Sequence, residues 1–143
     1  MKQPTVFLVE EDEDTRILFK KILKNNGYNA LLAIDESDAL ERVGSERDKI
    51  DLVLVNLVRK STEQMLKAGR RIRESGELNV PLVAIAEEFD DKLQGTNVQV
   101  GANEYVTYLE NGTELFDLLS RLTNDSAGKI SELKNISSQF VLN

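Results

Sequence analysis

The order of apolar runs and helical patterns constrains the fold of this chain more than any other feature of its sequence. Short apolar runs, typical of buried strands, alternate with segments whose apolar residues recur three and four positions apart, the spacing of one helix face. The strand runs are residues 6–9, 30–34, 52–55, 81–86 and 105–107, and the helical segments are residues 13–25, 37–43, 61–72, 90–100 and 115–122. Five such alternations predict an α/β fold in which helices cover both faces of a parallel sheet.

Local signals mark the ends of some of these elements. Gly27 follows the first helical segment, where a left-handed cap favours glycine. Ser61 and Gln64 have the spacing of a capping box at the start of the third helix. Residues 90–100 are helical by position only, because Gly95 and its neighbours are poor helix formers, so we expect a short or mobile helix there.

Polar side chains follow the first and third strands of the predicted sheet. Glu10, Glu11 and Asp12 come directly after the first strand, and Asn56 ends the third. In doubly wound sheets, ligands bind beyond the carboxyl ends of the strands, where the direction of winding reverses. With the commonest five-strand order, 2-1-3-4-5, that point lies between strands one and three. The sequence therefore nominates this crevice as the functional site.

Composition excludes several kinds of chemistry. The chain has 143 residues, enough for one well-packed core, and its composition, 41% hydrophobic and 30% charged, is that of a globular protein. It has no cysteine and no histidine, which excludes thiolate nucleophiles, disulfides, Cys/His zinc sites and imidazole catalysis. The net charge of −7 disfavours nucleic acid and anionic membranes as partners. With no signal peptide or membrane-spanning run in the sequence, a cytoplasmic location is expected.

Four motifs, in order and at matching spacing, resemble the receiver domain of two-component response regulators. They are Leu-Val-Glu-Glu-Asp at 8–12, Asp-Leu-Val-Leu-Val-Asn at 51–56, Val-Pro-Leu-Val-Ala-Ile-Ala at 80–86 and Gly-Ala-Asn-Glu-Tyr-Val at 101–106. The resemblance implies a flavodoxin-like fold: a doubly wound, five-stranded parallel sheet of order 2-1-3-4-5 with five helices. We assign residues 1–122 to this receiver-like domain and residues 123–143 to a polar tail.

The resemblance also implies how a receiver takes up a phosphoryl group, and the positions that would do so are altered. An acidic pair that holds Mg²⁺ maps to Glu10 and Glu11, and the acceptor aspartate maps to Asn56. The hydroxyl that senses the phosphoryl group maps to Ala86, and the lysine that neutralises it maps to Tyr108. An amide forms no acyl phosphate, and neither alanine nor tyrosine replaces the lost group. The sequence predicts a degenerate receiver that is not an enzyme and requires no cofactor.

The remaining features each carry two interpretations. Glu10 and Glu11 bind Mg²⁺ weakly, or they face water and complement the dipole of the first helix. The switch aromatic maps to Tyr105, and with Tyr108, Leu109 and Phe116 it forms an output surface, or these side chains pack a strand against the last helix.

Two further segments are also open to two readings. A basic cluster binds an acidic partner or is a solvated helix face; its members are Arg59, Lys60, Lys67, Arg70, Arg71 and Arg73. Residues 123–128 break the last helix. Beyond them, Ile130, Leu133, Ile136 and Phe140 belong to a frayed tail or to a docking helix.

Two functions compete. The leading hypothesis is a single-domain response regulator that binds another signalling protein, such as a kinase, regulator or output protein, independently of phosphorylation. The face formed by helix four, strand five and helix five is a candidate homodimer surface. The alternative is a sensor that binds a metal or a small ligand in the former phosphorylation crevice.

Overall fold

A computed structural model describes residues 3–86 and 92–135 of the chain, with residues 125–135 described through their backbone alone. The first half alternates strand and helix as the apolar periodicity predicts. Its elements are β1 (Thr5–Glu10), α1 (Glu13–Asn25), β2 (Asn29–Ala33), α2 (Glu36–Glu46) and β3 (Leu52–Asn56). The second half contains α3 (Thr62–Gly76), β4 (Leu82–Ile85), β5 (Thr96–Gly101), β6 (Glu104–Tyr108) and α4 (Thr113–Asn135).

The sheet has six strands in the order β2-β1-β3-β4-β6-β5. The first five of these are parallel, and they reproduce the predicted doubly wound arrangement. Alternation along the strands divides the core between the two faces. Phe7 and Val9 pack with α2 and α3, whereas Val6 and Leu8 pack with α1 and α4. The fold is therefore that of a flavodoxin-like receiver.

The prediction of a helix at residues 90–100 is wrong for the part of that segment that the structure describes. Thr96–Gly101 is a strand, β5, and it pairs antiparallel with β6 through a two-residue turn at Ala102 and Asn103. Asn103 has a φ of 61°, a left-handed conformation that asparagine tolerates. Residues 90 and 91 of the expected helix lie outside the described residues. The described chain thus has four α-helices and six strands, in place of five of each.

Helix α4 does not stop at the polar segment that was expected to break it. The helix runs from Thr113 through residues 123–128 to Asn135. A poor helix-forming segment can continue a helix that its first turns have already nucleated, because adding a residue costs less than starting a new helix. Ile136 and Phe140 lie outside the described residues. The division into a domain of residues 1–122 and a tail of residues 123–143 remains a prediction.

Candidate functional site

The crevice between β1 and β3 is built around one hydrogen bond between side chains. The parallel register places Glu10 beside Asn56, so the two side chains leave their strands at the same level. The Asn56 amide Nδ2 donates to Glu10 Oε1 at 2.6 Å. Glu10 is 1% exposed, and a carboxylate so deeply buried is costly unless donors surround it. Asn56 supplies one of those donors.

Groups from the start of α1 also bond to Glu10. Its second carboxylate oxygen accepts from the backbone N–H of Asp12 at 3.1 Å, and the Arg16 guanidinium donates to the Glu10 carbonyl at 2.8 Å. An aspartate at position 56 would instead place a second negative charge against Glu10. The amide at position 56 therefore suits the buried Glu10 carboxylate better than a second carboxylate would.

The other two acids of the crevice are also engaged. Glu11 Oε1 accepts from the backbone N–H of Val58 at 3.1 Å, which ties the end of β1 to the loop after β3. Asp12 is the N-cap of α1 and accepts from the backbone N–H and the hydroxyl of Thr15, at 2.9 and 2.7 Å. The hydroxyl of Thr15 is the main cause of the lowered pKa of Asp12.

These contacts do not fit a magnesium site. Glu10, Glu11 and Asp12 each direct a carboxylate oxygen to a different donor, and no group of three or more acids in residues 3–86 and 92–135 could hold a metal ion. A hard cation needs several convergent oxygens, and the amide nitrogen of Asn56 points at the oxygen that would face it. Weak Mg²⁺ binding by Glu10 and Glu11 stays a prediction.

The positions mapped to the lost hydroxyl and lysine lie beside the same crevice. Ala86 follows β4, and its backbone N–H donates to the Thr107 carbonyl at 3.0 Å. Ala86 and Tyr108 both pack against the core between the sheet and α2 and α3. Neither side chain carries a charge at neutral pH, so neither supplies the positive charge that a bound phosphoryl group needs.

The aromatic output surface is divided between the two faces of the sheet. Tyr105 packs with Leu109 and Phe116 on the α1 and α4 side, whereas Tyr108 packs on the α2 and α3 side. Residues an odd number of positions apart on a strand point to opposite faces, which separates the two tyrosines. The structure therefore does not bring all four residues into one surface.

Leu109 and Phe116 instead line a groove between α1 and α4, which we call the α1–α4 groove. Its volume is about 610 Å³, and it is bounded on α1 by Leu18, Phe19 and Ile22. The side chain of Leu18 is 55% exposed. Glu110 and Asp117 lie at its border, so the groove has an apolar floor and an acidic rim.

Three of the six members of the basic cluster, Arg70, Arg71 and Arg73, form ion pairs within the protein. Arg70 and Arg73 both donate to the carboxylate of Glu104 at 2.9 Å, and Arg71 pairs with Glu36. The bond from Arg70 is the main cause of the lowered pKa of Glu104. Both acids were missed by sequence reasoning, because their roles depend on how α2 and β6 lie against α3. These contacts weaken the interpretation of the cluster as a docking patch.

None of the helices in the described part of the chain has the length and apolar character needed to cross a membrane.

Comparison with known proteins gives relatives of one kind. No family model matches the chain. It is 30% identical over 136 residues to the aerobic respiration control protein ArcA of Escherichia coli K12, an alignment that covers 92% of this chain and 54% of that protein. It is 30% identical over 112 residues to the transcriptional regulatory protein CpxR of the same organism, covering 77% and 45%. The chain spans about half the length of these relatives.

Solved structures agree with the sequence comparison. A response regulator from Thermotoga maritima is 25% identical with a TM-score of 0.60, and the match covers 85% of this chain and 98% of that one. The receiver domain of a sensor histidine kinase from Pseudomonas aeruginosa, solved with magnesium in its active-site cleft, is 25% identical with a TM-score of 0.58 and the same coverage. Sequence similarity and fold together identify the described chain as a response-regulator receiver domain.

Proposed function

We propose that this receiver domain takes up no phosphoryl group and acts in two-component signalling by binding another signalling protein. The observation that carries the proposal is the 2.6 Å hydrogen bond from the Asn56 amide to the buried Glu10 carboxylate. A phosphoryl acceptor at this position needs a free carboxylate oxygen, and an amide that donates its N–H to a neighbour offers no nucleophile.

Three further features support the same conclusion. Glu11 and Asp12 are held by Val58 and Thr15, so the acids do not converge on a cation. Ala86 has no hydroxyl, and Tyr108 has no positive charge with which to balance a phosphoryl oxygen. The changes also conserve the formal charge of the crevice, because one anion and one cation are lost together. The site thus has a settled structure without the chemistry of phosphoryl transfer.

Incubation with acetyl phosphate and Mg²⁺, followed by intact-mass measurement, tests the loss of phosphoryl uptake. We expect no species heavier by one phosphoryl group under conditions in which a receiver with an intact acceptor aspartate, run in parallel, is labelled. A stable phosphorylated species that disappears in Glu11→Gln or Asp12→Asn would overturn the proposal.

The α1–α4 groove is the surface that we assign to the partner. Its apolar floor suits the apolar face of an amphipathic helix, and its acidic border favours Lys or Arg beside that face. The net charge of −7 favours the same kind of partner. We therefore expect the bound segment to be a basic amphipathic helix of a signalling protein.

Two neighbouring residues of α1 provide a matched test of this surface. Leu18 lines the groove and is 55% exposed, whereas Ile17 is 57% exposed and lies outside its lining. The wild type, Leu18→Glu and Ile17→Glu are each used to capture proteins from cell extract, and the amount of every captured protein is compared among the three. We expect one partner to be lost with Leu18→Glu and retained with Ile17→Glu. Equal capture of every partner by the two variants would contradict the assignment of this groove.

The alternative function, a metal or small-ligand sensor in the crevice, gains no support from a specific contact. It predicts that the melting temperature rises when Mg²⁺, Ca²⁺ or a small phosphate compound is added, because a ligand that binds only the native state stabilises that state. The proposed function predicts an unchanged melting temperature. A cytoplasmic location and the absence of enzymatic activity also remain predictions.

A further inference from the structure

Strand β5 gives the sheet an open edge. It is the last strand in the sheet order, and β6 is its sole partner among the described residues. In an antiparallel pair, alternate residues of an edge strand direct their N–H and C=O groups away from the partner. Such groups form a template for one more strand.

The opposite edge of the sheet is closed by contrast. Arg42 of α2 donates to the Leu32 carbonyl of β2, and the backbone N–H of Ile34 donates to Asp38 of α2 at 2.9 Å. Among the described residues, one side chain bonds to the backbone of β5, and it comes from β5 itself. Gln99 Nε2 donates to the Gly101 carbonyl at 3.1 Å. In the part of the chain that the structure describes, side chains of a neighbouring helix therefore bond to the backbone at the β2 edge, whereas none bonds to the backbone of β5.

The β5 edge also lacks the charges that usually keep edge strands apart. Residues 93–103 are the longest uncharged stretch of a chain that is 30% charged, and β5 contains neither lysine nor proline. Val100 on this strand is 45% exposed. Two copies with a net charge of −7 each repel one another least where no charge is present. The edge is therefore better suited to a second copy than to a charged partner.

We propose that two copies of the chain associate through β5, pairing antiparallel about a two-fold axis. Such a contact uses the same strand on both copies, so it is self-complementary and closes at a dimer. The pairing joins the two six-stranded sheets into one. It differs from the homodimer surface expected around the helix predicted at residues 90–100, where the structure describes strand β5, and it is independent of the proposed partner groove.

The regular part of β5 sets the register of this pairing. The strand pairs regularly with β6 from Thr96 to Gln99, and a β-bulge between Gln99 and Gly101 then interrupts the alternation. A register centred on Val98 places Asn97 of each chain opposite Gln99 of the other and Val98 opposite its own copy. Asn97 and Gln99 have the same parity, so their outward N–H and C=O groups meet. Cross-strand pairs of side chains contribute about 0.2–1 kcal/mol each.

Charge introduced at the edge tests the interface. Val100→Lys introduces lysine, a residue that natural edge strands use to prevent pairing. The control is Ile34→Lys, which makes the same change at an apolar residue that is 53% exposed and lies beside the β2 edge. By sedimentation velocity of the 143-residue chain, we expect the wild type to dimerise and Val100→Lys to weaken dimerisation by roughly tenfold or more, because each copy then carries a like charge beside the paired strands. Ile34→Lys should dimerise as the wild type does. A monomeric wild type, or a dimer that Val100→Lys leaves intact, would overturn the proposal.

A single cysteine tests the register directly, because the chain has none of its own. Val98→Cys places two thiols opposite one another at the axis, within reach of a disulfide. We expect rapid oxidation to a covalent dimer, whereas Ser75→Cys, exposed on α3, should oxidise slowly. Equal rates of cross-linking would refute the pairing of β5, and circular dichroism of both variants verifies that each is folded.

Discussion

The Asn56→Asp variant probes the hydrogen bond on which the account of the crevice depends. The substitution keeps the size of the side chain and exchanges the donor at 2.6 Å from Glu10 Oε1 for a carboxylate oxygen. Glu10 is 1% exposed, so water cannot screen the two charges. We expect the variant to be clearly less stable than the wild type at neutral pH.

The size of the effect follows from the geometry. Two unit charges about 4 Å apart repel by about 4 kcal/mol at an effective dielectric constant of 20. Alternatively, the two carboxylates of the variant share one proton, which removes the repulsion. Keeping a carboxyl protonated at pH 7, roughly 3 pH units above its ordinary pKa, costs about 1.4 kcal/mol for each unit. Both routes give a loss of about 4 kcal/mol at pH 7. The folded variant then holds more protons than the unfolded chain, so its stability falls as pH rises above about 4.

Urea denaturation followed by circular dichroism measures this loss, since the chain has no tryptophan to report by fluorescence. The measurement is made with a chelator present, at pH values from 4 to 7 (roughly the window set by carboxyl titration). Asn56→Ala is the control: it removes the donor without adding a charge, and we expect a smaller loss of about 1.5–3 kcal/mol. An Asn56→Asp variant as stable as the wild type at pH 7 would refute the reasoning.

Four other variants test the packing and the ion pairs by the same denaturation assay. Gly69→Ala places a Cβ against Leu82 Cδ1, so we expect a loss of about 1–3 kcal/mol. Gly44→Ala, with nothing within 4 Å of its Cβ, should gain about 0.5–1 kcal/mol, and a gain at both sites would contradict the packing of α3 on β4. Glu104→Gln should lower the free energy of unfolding by about 2–4 kcal/mol at pH 7. Because the Arg70 guanidinium lowers the pKa of Glu104, the difference in stability from the wild type should shrink as pH falls through that pKa. A difference that does not change with pH would argue against the ion pair. Thr107→Val should gain about 1 kcal/mol, because the fully buried Thr107 hydroxyl has no hydrogen-bond partner among the described residues, and a loss would indicate a missed partner.

The sequence predicted those elements whose signals are local. The bounds of α1, at Glu13 and Asn25, and the capping box of Ser61 and Gln64 are confirmed, because the cap and the apolar spacing lie within the element itself. Gly27 has the expected positive φ, 92°. The position of Asn56 beside Glu10 also followed from the sequence, since the carboxyl ends of β1 and β3 meet in a parallel sheet.

The errors lie where tertiary contacts decide the structure. Strand β5 exists because it pairs with β6, and strand preference depends on such neighbours more than on the residues themselves. The pairing of Arg70 with Glu104 joins residues 34 positions apart and depends on the register of β6. The separation of Tyr105 from Tyr108 follows from the alternation of a strand, because residues three positions apart point to opposite faces of the sheet.

An amide-resolved NMR titration with Mg²⁺ and then beryllofluoride, a mimic of the phosphoryl group, tests most directly whether the crevice has lost its chemistry. The account predicts no saturable shifts at residues 10–12 or at Asn56, because Glu10 and Glu11 accept from different donors and Asn56 offers no carboxylate to a cation. Saturable shifts at those residues that spread to Tyr105 and α4 would contradict it, and would mean that the phosphorylation switch still operates.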